Sequence, residues 1–292
     1  TEAVLAAIPT LATTATYTPP PTLTQTPTIT PSPSATPLGI GATQISLADG
    51  MVLMYIPGGT FQMGSTSGGD NEQPVHTVTL DAFWMDQSEV TNGMYTQCIA
   101  AGACSPPDHT SSVTRDLYFG YTAYTDYPII NVSWYQANAY CTWAERELPT
   151  EAQWEFAARG GLAEAIYPWG YEFDGSLANY CDINCAFEAF ADLRFSDGFA
   201  DTAPVGSYAP NGYGLYDMAG NVWEWVADWY GPYSSGAVEN PTGPASGDSH
   251  HVTRGGSWRE NSYVMRVSFR GANSPYYSSF EDGFRCVVQP GR

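Results

Sequence analysis

From about Ile40 onward the chain alternates short apolar runs with clusters of glycine, asparagine and aspartate. Thr43 to Met54 predicts a strand pair around the turn Ala48-Asp49-Gly50, and Tyr55 to Gly64 predicts a strand interrupted by glycines. Val75 to Leu80 alternates as a half-buried strand does. Three helices have legible starts. Thr91 can cap one that runs to Ala101, before Gly102, and Ser133 can cap one carrying Ala137, Tyr140, Cys141 and Ala144. Thr150 to Gln153 forms a capping box ahead of Trp154, Phe156 and Ala157, and Gly160-Gly161 stops that helix. Glu151 and Glu155, one turn apart on it, read as a solvated face. Beyond Gly161 the periodicity fades. The pattern predicts a mixed α+β domain over 40–292, low in regular structure, that relies on aromatic packing, disulfides or bound metal.

Residues 1–39 are a different material, Thr, Pro, Ala and Ser with the single charge Glu2. Repeated proline blocks helices and removes ladder donors, so this tail is expected to be extended, and its hydroxyls invite O-linked glycans. It reads either as a stalk or as a strand inserted into the next copy of the chain, with the apolar stretch Val4 to Ile8 at its start. Insertion would give a head-to-tail filament, since such a contact need not close. The chain begins at Thr1, which suggests a processed secreted form or a fragment.

Charge narrows the partners. Thirty acidic residues oppose ten basic ones, a formal charge of −20, and all ten basic residues are arginine. A surface this acidic repels a phosphate backbone, so nucleic acid and anionic membrane are excluded as partners, whereas Ca²⁺ suits it. No apolar run reaches the roughly 20 residues that span a bilayer. Six cysteines at 98, 104, 141, 181, 185 and 286 fit an oxidising compartment, so the chain is expected outside the cell or on its surface. Proximity pairs Cys98 with Cys104 and Cys181 with Cys185, leaving Cys141 for Cys286, although six cysteines allow fifteen pairings. A zinc site is disfavoured because there is no CxxC pair and no histidine at ligand spacing. His250-His251 reads as a solvated pair, and the sequon Asn131-Val132-Ser133 as part of a helix cap.

Several segments together carry a resemblance: Tyr55 to Gly64, Glu89 to Asn92, Pro128 to Trp134, Leu148 to Glu155, Asn211 to Trp225, Arg254-Gly255-Gly256-Ser257-Trp258 and Gly283 to Cys286. In this order they resemble the formylglycine-generating enzyme, or sulfatase-modifying factor, family. The resemblance implies a C-type-lectin-like fold and supports the Cys141–Cys286 pairing. Family enzymes oxidise a cysteine of a sulfatase to formylglycine at copper(I) held by two cysteines that follow the Gly-Gly-Ser motif. Here Glu260 falls near the first of those positions and Val264 to Arg266 cover the second, and no cysteine lies between 185 and 286. One carboxylate and the thioether of Met265 do not make a bis-thiolate site. A second family disulfide is also missing, with Ala158 and Gly271 at its positions. The expectation is therefore a chain that is not an enzyme and holds no copper.

The same resemblance implies two structural Ca²⁺ sites. One uses Asn179, the Tyr180 carbonyl, Asp197 and the Phe199 carbonyl; the other uses Asp217, the Gly220 and Val222 carbonyls and Glu224. Related domains of this fold bind ligands on a loop after the Gly-Gly-Ser-Trp motif. That resemblance implies a ligand surface of Trp223, Ser257, Trp258, Asn261, Tyr263, Asn273, Tyr276 and Tyr277. The combined expectation is a secreted, calcium-stabilised structural or adhesive module that assembles with copies of itself, with a lectin-like ligand-binding module and a formylglycine-generating oxidase as alternatives.

Overall fold

The structure is a computed structural model describing residues 38–187, 191–247 and 249–289. The stalk, glycan and tail-insertion expectations fall on the segment before residue 38 and so lie outside the described residues. The predicted strand pair forms from β1 (Thr43–Ile45) and β2 (Val52–Ile56), antiparallel with Ile45 opposite Val52. Pro57 and Gly58 end β2, and β3 (Gly59–Met63) follows as a separate strand. It pairs with β4 (His76–Leu80), and β5 (Phe83–Asp86) pairs with β2.

Each predicted helix starts at its cap. Thr91 accepts from the Met94 N–H ahead of α1 (Asn92–Ala100). Reciprocal capping boxes open α2 (Trp134–Trp143) at Ser133 and α3 (Glu151–Ala158) at Thr150. Asn131, of the sequon, is buried with positive φ and donates to the Ser111 carbonyl at 2.9 Å, so it serves the fold. The chain then adds β6 (Trp223–Trp229), β7 (Val238–Glu239), β8 (His251–Arg254), β9 (Gly271–Asn273), β10 (Asp282–Gly283) and β11 (Val287–Val288). Three sheets result, ordered β1-β2-β5-β11, β10-β6-β8-β9 and β3-β4-β7. All three expected disulfides form, and Cys141–Cys286 ties α2 to the last strand across 145 residues.

Helix α3 corrects the reading of Glu151 and Glu155. Every residue of α3 is buried, and both carboxylates meet guanidinium groups instead of water. Arg270 forks onto Glu151 at 2.6 and 2.8 Å, while Arg159 and Arg254 hold Glu155. Ionised groups stay buried only when paired, so the arginine of the Arg254-Gly255-Gly256 motif is a structural bolt between β8 and α3. The pattern is general. Every arginine among the described residues pairs with a carboxylate, which leaves the exterior to unpaired acid. His251 is not solvated either: its ring lies between Trp134 and Trp229, with centroids 4.0 and 3.9 Å away. Among the described residues no helix is long and apolar enough to cross a membrane.

Candidate functional site

The turn after β8 places the Gly-Gly-Ser-Trp segment against the 220–222 turn that leads into β6 and against residues 280–281 ahead of β10. Gly255 and Gly256 both have positive φ, which favours glycine, and a Cβ on Gly256 would lie 2.6 Å from the Met265 methyl group, which would have to move. Ser257 and Trp258 are buried, which corrects their placement on a ligand surface. The Trp258 indole stacks with Phe187 beside the Cys181–Cys185 bridge and donates to the Phe280 carbonyl. Ser257 donates to Glu281 at 3.2 Å and receives the Arg259 N–H, so it props up a carboxylate from beneath. Met265, fully buried, is core as well.

What reaches the surface here is polar. Arg259 Nη1 lies 2.7 Å from Glu281 Oε1, and its guanidinium covers the Phe187 ring at 4.1 Å. Glu260 is half-buried beside them. Burial, together with the Glu281 charge, raises its carboxyl above the usual range, while Arg259 and a hydrogen bond from Trp223 oppose the shift. Trp223, half-buried, packs on Phe269, which meets the half-exposed Tyr263. Asn261 is exposed and bends its own loop by accepting the Tyr263 N–H. Asn273 sits on β9 opposite His251. Tyr276, 76% exposed, lies on Tyr135 at 5.0 Å, next to the half-exposed Tyr277. The sequence reading missed Arg259 and Glu281. Both bound the loop it singled out, and their 22-residue separation gives no local signal that they pair.

Copper does not fit this site. All six cysteines are disulfide-bonded, so the two thiolates that the family's chemistry needs are not offered by this chain. Among the described residues no three His, Cys, Asp or Glu side chains come together as a metal site, and the residues implied for calcium stand as follows. Asn179 is buried and its Oδ1 takes no hydrogen bond. Nearby in the chain Asp197 meets Asp182, a partner the sequence reading missed, and burial followed by the Asp182 charge helps push the Asp197 carboxyl up to about 7. The Phe199 N–H, at 2.8 Å from Asp197, opposes that shift. The Tyr180 carbonyl accepts the Asp182 N–H. At the second position Asp217 lies against Glu89, and burial raises both carboxyls; the Asp217 charge adds to the rise at Glu89, whereas a hydrogen bond with Glu89 opposes the rise at Asp217. Gly220 sits so close to the Asn179 carbonyl that a Cβ would come within 2.2 Å of it. Val222 is buried in the same turn. Both oxygens of Glu224 are occupied, by Arg285 and by the Trp154 indole N–H, so a cation there would have to displace a guanidinium.

Comparison with known proteins sets this geometry in context. The formylglycine-generating enzyme of Thermomonospora curvata is 37% identical over 84% of this chain and 95% of its own length. That of Streptomyces coelicolor is 36% identical over 80% and 87%. Among solved structures, PvdO from Pseudomonas aeruginosa superposes with a TM-score of 0.71 at 25% identity, over 87% of this chain and 100% of that one. The expectation that the chain is not an enzyme is thereby corrected, because close relatives covering most of it are named formylglycine-generating enzymes and point to an oxidase. A match to the Sulfatase-modifying factor enzyme 1-like domain over residues 42–290 completes the comparison, and the chain belongs to that family.

Proposed function

We propose that this domain works on a protein substrate, binding an extended peptide segment against the face formed by Trp223, Arg259, Glu260 and Glu281. Glu260 is the observation that carries this reading. It is a half-buried carboxyl held above its usual range beside a second carboxylate, and it stands where the family's reactive position falls. Such a group holds its proton to a higher pH than an ordinary surface glutamate does, which suits it to proton transfer. Trp223 offers an aromatic wall, and the Arg259–Glu281 pair offers a donor and an acceptor for peptide backbone. The relatives' names support conversion of a cysteine in the bound segment to formylglycine as the reaction class, an oxidation whose electrons pass to an external acceptor such as dioxygen that this chain's residues do not supply. The chain's own residues supply proton handling and substrate positioning, and no step is routed through copper.

Three disulfides support an oxidising compartment outside the cytosol as its setting. The experiment mixes the full chain with a cysteine-containing sulfatase peptide. Binding is followed by fluorescence anisotropy and conversion to the aldehyde by mass spectrometry. Saturable binding that Trp223→Ala weakens tenfold or more is the expected result. A peptide that neither binds nor changes mass would overturn the reading.

A further inference from the structure

A cleft of about 460 Å³ opens between the N-terminus of α3, strands β4 and β7 and the loop 231–244, and it shares no residue with the face just described. Its volume lies within the roughly 300–1,000 Å³ of small-molecule sites. The walls are largely apolar, with Val238 and the rings of Pro232, Pro241 and Pro244. Asp228, 4% exposed, lines it. Its Oδ2 accepts the Glu151 N–H at 2.8 Å, and its Oδ1 takes no hydrogen bond and no ion pair among the described residues. Burial, with the Glu151 charge, pushes this carboxyl up to about 7, while the Glu151 N–H and the charges of Arg270 and Arg254, both engaged by Glu151 and Glu155, oppose the shift.

The other charges of the cleft are already committed or negative. Arg270 spends its Nε and one Nη2 hydrogen on Glu151 and both Nη1 hydrogens on the Asn71 and Gly231 carbonyls, so its charge is already paired and a single N–H is left for a guest. Tyr233 is closed on both sides, with the Arg270 guanidinium 4.0 Å from its ring and His76 at 4.9 Å. Glu239, at the mouth, is exposed and adds negative charge. A guest must therefore bring its own positive charge and an apolar body.

We propose that this cleft binds a small organic ammonium ion, with Asp228 Oδ1 as the anchor and the proline-lined wall as the seat for its hydrocarbon. The acidic exterior would concentrate such a ligand, the chain has no lysine, and among the described residues every arginine is already paired with a carboxylate.

The test uses calorimetry on the full chain at pH 8, with benzylamine as the probe and benzyl alcohol and benzoate as its neutral and charge-reversed counterparts. Saturable benzylamine binding is expected, at least tenfold tighter than benzyl alcohol, with none for benzoate. Asp228→Asn should lower benzylamine affinity tenfold or more. Should that variant fold poorly, Thr242→Trp, at an exposed rim position, should block binding by filling the cleft without touching Asp228. Equal binding of the three probes, benzylamine binding that survives both variants, or no saturable binding at millimolar concentration would overturn the proposal. Sulfatase-peptide binding at the Trp223 face should persist in Thr242→Trp, so the two readings stand or fall separately.

Discussion

Arg285 grips Glu224 with two parallel hydrogen bonds, Nε to Oε2 and Nη2 to Oε1, each 2.7 Å, with both side chains essentially free of solvent. The same guanidinium donates to the carbonyls of Asp86, Gln87 and Tyr216, so one side chain gathers the ends of β5 and β6 and the 211–222 turn. Removing it strands Glu224 as a buried, uncompensated charge. Arg285→Met should cost about 3–5 kcal/mol, read as a fall in the urea midpoint at unchanged slope. A loss below about 1 kcal/mol would show that the pair is dispensable.

The two kinds of disulfide should behave differently. Cys141–Cys286 closes 145 residues, and Cys98–Cys104 closes a six-residue separation. In the chain-entropy account a longer closed loop removes more freedom from the unfolded chain. Replacing Cys141 and Cys286 by alanine should cost about 2–5 kcal/mol, and replacing Cys98 and Cys104 clearly less. Equal losses in denaturant titrations would contradict that account.

Calcium should stabilise the domain through the loop that carries Asn179, Asp182 and Asp197. At a hundredfold excess over its dissociation constant, one ion adds about 2.7 kcal/mol. Melting temperature should then rise by roughly 5–10 °C with Ca²⁺ and fall with chelator. Asp197→Asn should abolish most of the rise. A melting temperature indifferent to both Ca²⁺ and chelator would refute the site.

Stability should fall as pH rises from about 4 to about 7, through carboxyls that keep their protons only in the fold. Asp282 is buried with one hydroxyl partner, Ser279 at 2.8 Å, and burial leads the causes that push it up to about 7. The folded state binds a proton there that the unfolded chain has released, so the sign is a loss of stability with rising pH, complete above 7. Asp282→Asn keeps the acceptor without the charge. It should be more stable than the parent chain at pH 8, by roughly 2 kcal/mol, and nearly equal to it at pH 4. A variant with the parent's pH profile would remove Asp282 from this account.

Local signals made much of the fold legible. The caps at Thr91, Ser133 and Thr150 need only neighbours within three residues, and each helix starts where they predict. The Glu155–Arg159 pair, one turn apart, was legible, but the burial of Glu151 and Glu155 was not, because Arg270 and Arg254 lie 119 and 99 residues away along the chain. The resemblance to ligand-binding domains of this fold puts Ser257 and Trp258 on a surface. Burial came instead from Phe187, Phe280 and Glu281, which no periodicity links to them. The Asp228 cleft was invisible for the same reason, since proline and glycine in 231–244 announce a loop without saying what it encloses.

Hydrogen–deuterium exchange of the full chain, with and without a saturating cysteine-containing sulfatase peptide, tests the central claim most directly. Slower exchange confined to the backbone around 257–264 and 279–282, with 228–244 unchanged, is the predicted result. Peptide-induced protection elsewhere, or none at all, would contradict it.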